Sequence, residues 1–259
     1  ILTYAVFFPS MLTAFTVIAS LEYAARRRGG TGLIGWVRAL PWGDPSVAAQ
    51  LLAGILFMFG GIGGLTNASY NINLVIHNTA WVPGHFHLTV ATAVTLSFIG
   101  ITYWLVPHLA GKQLWGRRVA LAQAWTWFVG MVIFSNAMHM LGLLGAPRRT
   151  PLGEAPYVPD EWNGHLLRVS IGGSILLVSV ILYLVVMYKT VRGPKAAPAD
   201  VPEAPLAESI RHPPLTPVWL DRFKPWLIGA GVLLLISYGP QLVDQIMNMN
   251  LNAPGFKPW

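Results

Sequence analysis

The sequence has no cysteine and few charged residues. Only 10% of its 259 residues are Asp, Glu, Lys or Arg, and 54% are apolar, whereas about a quarter of a soluble domain is charged. Without cysteine there is no disulfide, no thiolate-bound zinc and no cysteine-held iron–sulfur cluster, so histidine is the obvious ligand for a metal. The low charge excludes an ordinary soluble domain and predicts a membrane protein.

Long apolar runs, bounded by Pro, Gly or charge, make up most of the chain. They predict an all-α fold, a polytopic membrane bundle that extends over residues 1–259. The six predicted transmembrane helices are 1–24, 46–66, 80–107, 118–143, 165–190 and 218–247. Between the last two, residues 191–217 are rich in Pro and Ala, which predicts a linker. The chain opens at Ile1 within an apolar run, so we expect it to be part of something longer.

The basic residues predict the orientation of these helices. Thirteen of the 17 Lys and Arg lie in loops and helix flanks on one side, together with the linker. The other four are Arg148, Arg149, Arg168 and Lys257. Lys and Arg are enriched in cytoplasmic loops, so the first side is cytoplasmic and the N-terminus lies outside. The net charge of +7 is therefore explained by topology, and we expect no nucleic-acid partner.

Three histidines lie close together in the stretch "HNTAWVPGHFHLTV". Residues two apart on a helix point about 200° from each other, so His85 and His87 cannot bind one ion, but each can hold a different cofactor. Buried histidines bonded to neighbouring carbonyls are the alternative. Ionisable side chains inside a membrane are usually functional, and a neutral imidazole on an apolar helix suits the axial position of haem iron.

Other polar residues near this stretch are candidates for an anion site. His77 and Asn78 precede the third helix, and Arg148 and Arg149 lie in another outer loop. The two arginines place positive charge on the side that otherwise has few basic residues. Haem carboxylates on the outer side explain this placement, because a guanidinium binds a carboxylate bidentately. The alternative is a pair of arginines that extend to anionic lipid headgroups.

The first predicted helix carries a stripe of hydroxyl groups. Ser10, Thr13 and Thr16 follow at steps of three, so they lie on one gently drifting face. Such hydroxyls either bond to the preceding helical turn or, together with water, pass protons. The pattern alone favours neither.

Four stretches resemble a known family: "HNTAWVPGHFHL", "PSMLTAFT", "RALPW" and "APRRT". They are similar to subunit I of haem–copper oxygen reductases, and most similar to the B-type branch, cytochrome c oxidases with one b-type and one a-type haem. The resemblance covers the whole chain, from the eighth transmembrane helix of that subunit to its C-terminus. It implies oxygen reduction to water, coupled to proton pumping, in a prokaryotic cell membrane with the haems toward the outside.

The resemblance also implies residue roles. His85 is the axial ligand of the high-spin haem at the oxygen site, and His87 is one axial ligand of the low-spin haem. Haem propionates are held by His77, Asn78, Arg148 and Arg149. The hydroxyls of Ser10, Thr13 and Thr16 match a proton channel that rises from the cytoplasm.

This sequence departs from the family pattern in two respects. The copper ligands, the active-site tyrosine and the second low-spin-haem histidine belong to the family's first seven helices. The implied partners are therefore an N-terminal half of subunit I, as a split gene or the rest of a longer chain, and a copper-bearing subunit II. Second, Asn73 stands where B-type members carry an aspartate near a propionate. Asn73 does not ionise, so no proton-loading role follows there.

Several functions stay open from sequence. Cytochrome c is the expected electron donor, with quinol as the alternative. Nitric oxide reduction, with iron in place of copper, is a second function within the superfamily. A di-haem electron-transfer cytochrome is a third, although that class usually places paired histidines on separate helices. A transporter predicts broken, polar helices at the midplane, which the mostly continuous apolar runs do not match.

Overall fold

The computed structural model describes residues 2–149, 158–197, 219 and 222–247, and all of its regular elements are helical. Within these described ranges eight α-helices follow one another: α1 (Leu2–Arg27), α2 (Pro45–Ala68), α3 (Tyr70–Ile76), α4 (Trp81–Leu88), α5 (Thr95–Ala110), α6 (Arg117–Leu143), α7 (Asp160–Arg192) and α8 (Phe223–Met247). A 3₁₀ helix (Gly35–Ala39) follows α1, and a π-helical turn (Thr89–Val94) joins α4 to α5.

Six helices in the described residues are long and apolar enough to cross a membrane. They are α1, α2, the continuous span from α4 to α5, α6, α7 and α8. The predicted all-α membrane bundle of six spans is therefore confirmed. The chain divides into two units, residues 1–204 and 205–259. The second unit contains α8, whose described side chains are mostly exposed.

The bounds of the spans differ from the predicted ones where polar residues continue a helix. The predicted start at 165 was wrong, because α7 begins at Asp160. Asp160 and Glu161 occupy its first turn, where negative charge is favourable near a helix N-terminus. At the other end α7 continues to Arg192, into the predicted linker. Residues 198–217 of that linker lie outside the described residues.

Local capping explains where α2 begins and where α5 ends. The Asp44 carboxylate accepts hydrogen bonds from the backbone N–H of Ser46 and Val47, at 3.0 and 3.1 Å, and Pro45 occupies the first helical turn. Both features are typical of a helix start. At the end of α5, Gly111 adopts a left-handed conformation with φ of 61°, which closes a helix at little cost.

The core of the first unit lies between α2, α5, α6 and α7. It is built from buried apolar side chains: Leu52, Leu56, Leu96, Ile99, Trp127, Met131 and Val186. Many apolar side chains on the opposite faces of these helices are exposed. Apolar surface of that extent is expected of a chain that contacts lipid or other helices.

A buried hydrogen-bond network joins three spans within the core. The Tyr103 hydroxyl donates to Gln123 Oε1 at 2.7 Å, and Gln123 Nε2 donates to Ser179 Oγ at 3.0 Å. Ser179 Oγ in turn donates to the Gln123 backbone carbonyl at 2.8 Å. Gln123 and Ser179 are fully buried. The network therefore satisfies its own polar groups and ties α5, α6 and α7 together.

We expect Gln123→Leu to destabilise the bundle, because it leaves the Tyr103 hydroxyl without its partner and removes the bond from Gln123 Nε2 to Ser179 Oγ. Each buried polar group without a partner costs about 1–3 kcal/mol. The matched control is Gln50→Leu, since Gln50 is exposed and bonds only within its own helix. Thermal unfolding in detergent should show a lower midpoint for Gln123→Leu alone. Equal midpoints for the two variants would show that the network contributes nothing to stability.

Candidate cofactor site

His85 lies on α4 with its ring directed toward α2. A Cβ placed on Gly63 would lie 2.8 Å from His85 Nδ1, so only glycine leaves room for the ring. The indole of Trp81 stacks on the imidazole at 6.2 Å between centroids. The Nδ1 atom is buried and has no hydrogen-bond partner in the described part of the chain. A buried, unpaired polar atom is costly and needs an explanation.

A cavity opens beside this ring. Its volume is about 620 Å³, within the range of roughly 300–1,000 Å³ that ligand pockets have. It lies between α1 and α2, and His85 and Thr89 also line it. The apolar lining comprises Val6, Phe7, Met11, Ala14, Phe15, Ile18, Phe57, Met58, Ile62 and Leu65, together with Gly60, Gly61 and Gly64. Apolar walls with one imidazole fit a haem that is held by an axial nitrogen.

His87 is directed to the opposite side, toward α6. Its ring packs against Phe134 with 4.7 Å between centroids. The Nδ1 atom lies 2.6 Å from the carbonyl oxygen of Pro83. That carbonyl only accepts, so the proton is on Nδ1, and Nε2 keeps the lone pair that binds a metal. His85 and His87 therefore contact different helices, as the two-residue spacing predicts.

Two loops pair through their backbones next to the histidine helix. Thr79 and Pro147 form an antiparallel bridge. The Ala80 N–H donates to the Ala146 carbonyl at 2.8 Å. The Arg148 N–H donates to the Asn78 carbonyl, also at 2.8 Å. This pairing brings Asn78 and Arg148 together although they are far apart in the sequence.

Backbone strain is present at both ends of this pairing. Asn78 and Arg149 have φ of 60° and 64°, values that side chains other than glycine rarely adopt. Strain of this kind costs about 1–3 kcal/mol and concentrates at functional sites. The salt bridges of the described residues are Arg26–Glu22 and Arg117–Asp44. Arg148 and Arg149 are thus not paired with a carboxylate there, and they suit an anionic group of a ligand.

His77 and Asn73 belong to the same outer region but have different contacts. His77 is exposed, and its N–H donates to the Asn73 carbonyl at 2.8 Å, where α3 ends. The Asn73 amide donates to the Asn67 carbonyl at 2.9 Å. Asn73 therefore links α3 to the end of α2, a role that needs no ionisation.

The predicted hydroxyl stripe is bonded within its own helix. Ser10 donates to the Val6 carbonyl at 3.0 Å, and Thr13 and Thr16 donate to carbonyls one turn back at 2.9 Å. This is the local alternative that the pattern left open. Ser10 also lines the cavity beside His85. The stripe therefore begins at the cavity wall, and its role in proton transfer stays a prediction.

Of the other described histidines, His139 on α6 lies beside the pair, because its ring packs edge-on against Trp81 at 4.7 Å between centroids and Trp81 stacks on His85. His108 stacks on Trp104 at 5.5 Å, near the end of α5. His139 Nδ1 bonds to the Ser135 carbonyl at 2.7 Å. His165 is in α7, and His212 lies outside the described residues. Among the residues with described positions, no three His, Asp or Glu side chains are grouped to hold a metal.

Glycines and one serine position the histidine helix, and sequence reasoning missed them. A Cβ on Gly142 would overlap the backbone of Trp81, and a Cβ on Gly84 would lie 2.9 Å from the His139 ring. Ser135 Oγ donates to the Gly84 carbonyl at 2.7 Å. The α4 and α6 backbones are therefore in close contact. The sequence did contain one indication of close packing: the stretch "GGIGG" at residues 60–64 lies within a predicted span, and paired glycines in a span indicate close contact between helices.

Comparison with protein families gives one match over most of the chain. The model for "Cytochrome C and Quinol oxidase polypeptide I" matches residues 1–175. These residues include His85, His87, the glycine-rich part of α2 and the paired outer loops.

Individual relatives agree with this match. A cytochrome c oxidase subunit 1 of Thermus thermophilus is 42% identical over the whole chain, which spans 47% of that protein. A second, shorter Thermus thermophilus sequence is 50% identical over its full length and 41% of this chain. A heme-copper terminal oxidase dimer solved by cryo-EM is similar at a TM-score of 0.72 and 36% identity, over 92% of this chain and 43% of the solved one. The chain thus spans about half the length of the longer proteins it matches.

Proposed function

Because the chain belongs to the cytochrome c and quinol oxidase polypeptide I family, we propose that it forms the haem-binding C-terminal half of a terminal oxidase. The assembled enzyme reduces oxygen to water with electrons from cytochrome c and pumps protons. The observation that carries this proposal is the pair of imidazoles on one span, each facing a different helix. His85 opens into an apolar cavity, and His87 has its Nδ1 held by a carbonyl.

In this proposal each histidine serves one haem. His87 would bind a b-type, low-spin haem through Nε2, and its Pro83 hydrogen bond fixes the tautomer that binds iron. His85 presents its ring to the cavity, where Gly63 and Trp81 fix its position. Haem iron supplies electron transfer at the first site and oxygen binding at the second. The span between them is the wall that separates the two cofactors.

The outer loops hold the carboxylates of these haems in the proposed arrangement. Arg148 and Arg149 are brought to His77 and Asn78 by the backbone pairing. A guanidinium binds a carboxylate through two parallel hydrogen bonds. The partners of this proposal are the N-terminal half of subunit I, which supplies the copper ligands and the second low-spin ligand, and a copper-bearing subunit II. The setting is a prokaryotic cell membrane, with the haem side facing outward.

Donor and acceptor assays of the purified complex that contains this chain test the proposal. We expect oxygen uptake with ferrocytochrome c that exceeds oxygen uptake with a quinol, and little consumption of nitric oxide. Dominant nitric oxide consumption would favour the reductase function. Haem-based electron transfer without oxygen uptake would favour an electron-transfer cytochrome.

Replacement of Arg148 and Arg149 by Gln should lower the midpoint potential of at least one haem. A positive charge beside a propionate stabilises the reduced, less positive haem, so its removal favours the oxidised form. A redox titration of the double variant measures the change. Arg168→Gln is the matched control, because Arg168 is an exposed arginine on α7, where it contacts His165. An unchanged titration of the double variant would favour arginines that contact lipid headgroups.

Thr13→Val combined with Thr16→Val should slow turnover and proton pumping while both haem spectra stay intact. We expect a loss of about tenfold, equivalent to about 1.4 kcal/mol of barrier, because valine has no hydroxyl to pass a proton. Thr126→Val on α6 is the control, since its hydroxyl also bonds one turn back. Full turnover of the double variant would assign the stripe to local helix bonding alone.

A further inference from the structure

A π-helical turn lies within the histidine span, two residues after His87. It comprises Thr89–Val94, between α4 and α5. The span predicted over 80–107 is one continuous helical span in the structure, and the sequence analysis did not predict the π turn within it. π-helical turns are rare and occur frequently at functional sites. The cause of this one therefore bears on the two histidines that precede it.

Packing against α2 gives a reason for the turn. A Cβ on Gly60 would lie 2.6 Å from Thr89 Cγ2, so Gly60 makes room for the turn itself. Further along, a Cβ on Gly100 would lie 2.9 Å from the Ser46 carbonyl. The span thus approaches α2 closely at the turn and again beyond it, in α5. One extra residue rotates the later part of a helix by about 100°, so the turn changes which face of α5 meets α2.

Threonine hydroxyls bond to the carbonyls around the turn. Thr92 Oγ1 donates to the His87 carbonyl at 2.7 Å, five residues back, and Thr92 is fully buried. By comparison, Thr95 Oγ1 lies 3.4 Å from the Val90 carbonyl in a more exposed position. The shorter, buried bond is therefore the one made to a histidine with a proposed cofactor role.

His87 is held at three points by these contacts. Its ring nitrogen bonds to the Pro83 carbonyl at 2.6 Å, its ring packs on Phe134, and its carbonyl accepts from Thr92. We infer that Thr92 is a positioning residue for His87. The Thr92 hydroxyl fixes the His87 backbone across the π turn, and the backbone in turn fixes the imidazole. The inference rests on the proposed function, in which His87 binds the low-spin haem.

The chemistry of this role is the orientation of a metal ligand. Groups that bond to a ligating histidine set its orientation and tune the metal it binds. Loss of the Thr92 hydroxyl removes one of the three restraints on His87 and leaves the Pro83 bond and the Phe134 contact in place. The low-spin haem should then remain bound but in a changed environment, whereas the haem at His85 should be unaffected.

Thr92→Val in the assembled oxidase tests the inference, because valine keeps the shape and removes the hydroxyl. Thr92→Ser keeps the hydroxyl and removes the methyl group, and Thr95→Val is the matched control on the next turn. The readouts are the midpoint potential and electron paramagnetic resonance signal of the low-spin haem, with carbon monoxide binding as the measure of the other haem. Thr92→Ala replaces Thr92→Val if the latter does not assemble.

We expect a shifted potential and signal in Thr92→Val, parent values in Thr92→Ser and Thr95→Val, and unchanged carbon monoxide binding in all three. Parent values in Thr92→Val, or an equal shift in Thr95→Val, would overturn the inference. His87→Ala distinguishes a failure of the Thr92 role from a failure of the proposed function. If it abolishes the low-spin signal while Thr92→Val changes nothing, only the role of Thr92 fails. If the low-spin signal survives in His87→Ala, the proposed function fails.

Discussion

Replacement of His87 by Ala should remove the low-spin haem absorption and leave carbon monoxide binding largely intact, and His85→Ala should do the reverse. The physical reason is the separation of the two rings. His85 lies against Gly63 of α2 beside the cavity, and His87 lies against Phe134 of α6. In the proposed function each imidazole binds the iron of a different haem, so the loss of one ring would leave the other site with its ligand.

The measurement is a reduced-minus-oxidised spectrum of each purified variant, with and without carbon monoxide. His165→Ala is the control, because His165 lies on α7 and is outside the proposed site. Loss of the same spectral component in both His85→Ala and His87→Ala would contradict the separate roles.

The second large effect is expected from Gly63→Val. A Cβ at this position would lie 2.8 Å from His85 Nδ1 and 3.5 Å from Trp81 Cη2. Valine would therefore crowd the imidazole, on which the Trp81 indole is stacked, and overpacking of this kind typically costs about 1–3 kcal/mol. We therefore expect carbon monoxide binding to fall several-fold or more, while the low-spin spectrum persists.

Gly54→Val is the matched control for this prediction. Gly54 lies on the same helix, and a Cβ there meets nothing within 4 Å, so the two variants share the cost of valine in a helix. Carbon monoxide titration of both variants measures the difference. Equal binding in Gly63→Val and Gly54→Val would show that Gly63 does not set the position of His85.

The sequence predicted the features that depend on local pattern. Six apolar runs of membrane length can be identified in the sequence because the hydrocarbon layer requires about 20 apolar residues per span. The opposite facing of His85 and His87 follows from the helical repeat alone. The polar start of α7 at Asp160 was missed because the apolar run begins later, and a helix continues through polar residues that suit its N-terminus.

Features that depend on distant residues were not predictable in the same way. The pairing of Asn78 with Arg148 joins two loops separated by α4, the π turn, α5 and α6, and no local pattern encodes it. The grouping of those residues was expected only from the family resemblance. The π turn depends on where Gly60 and Gly100 meet neighbouring helices, and the buried bond between Ser135 and Gly84 depends on the approach of α6 to α4.

The central claim is that this chain places two haems on opposite faces of one span, of which only one has an open coordination position. A reduced-minus-oxidised spectrum of the purified complex, recorded before and after addition of carbon monoxide, tests it most directly. The predicted result is two haem components in equal amounts, with one shifted by carbon monoxide and the other unchanged. A single haem component, or two components that both respond to carbon monoxide, would contradict the claim.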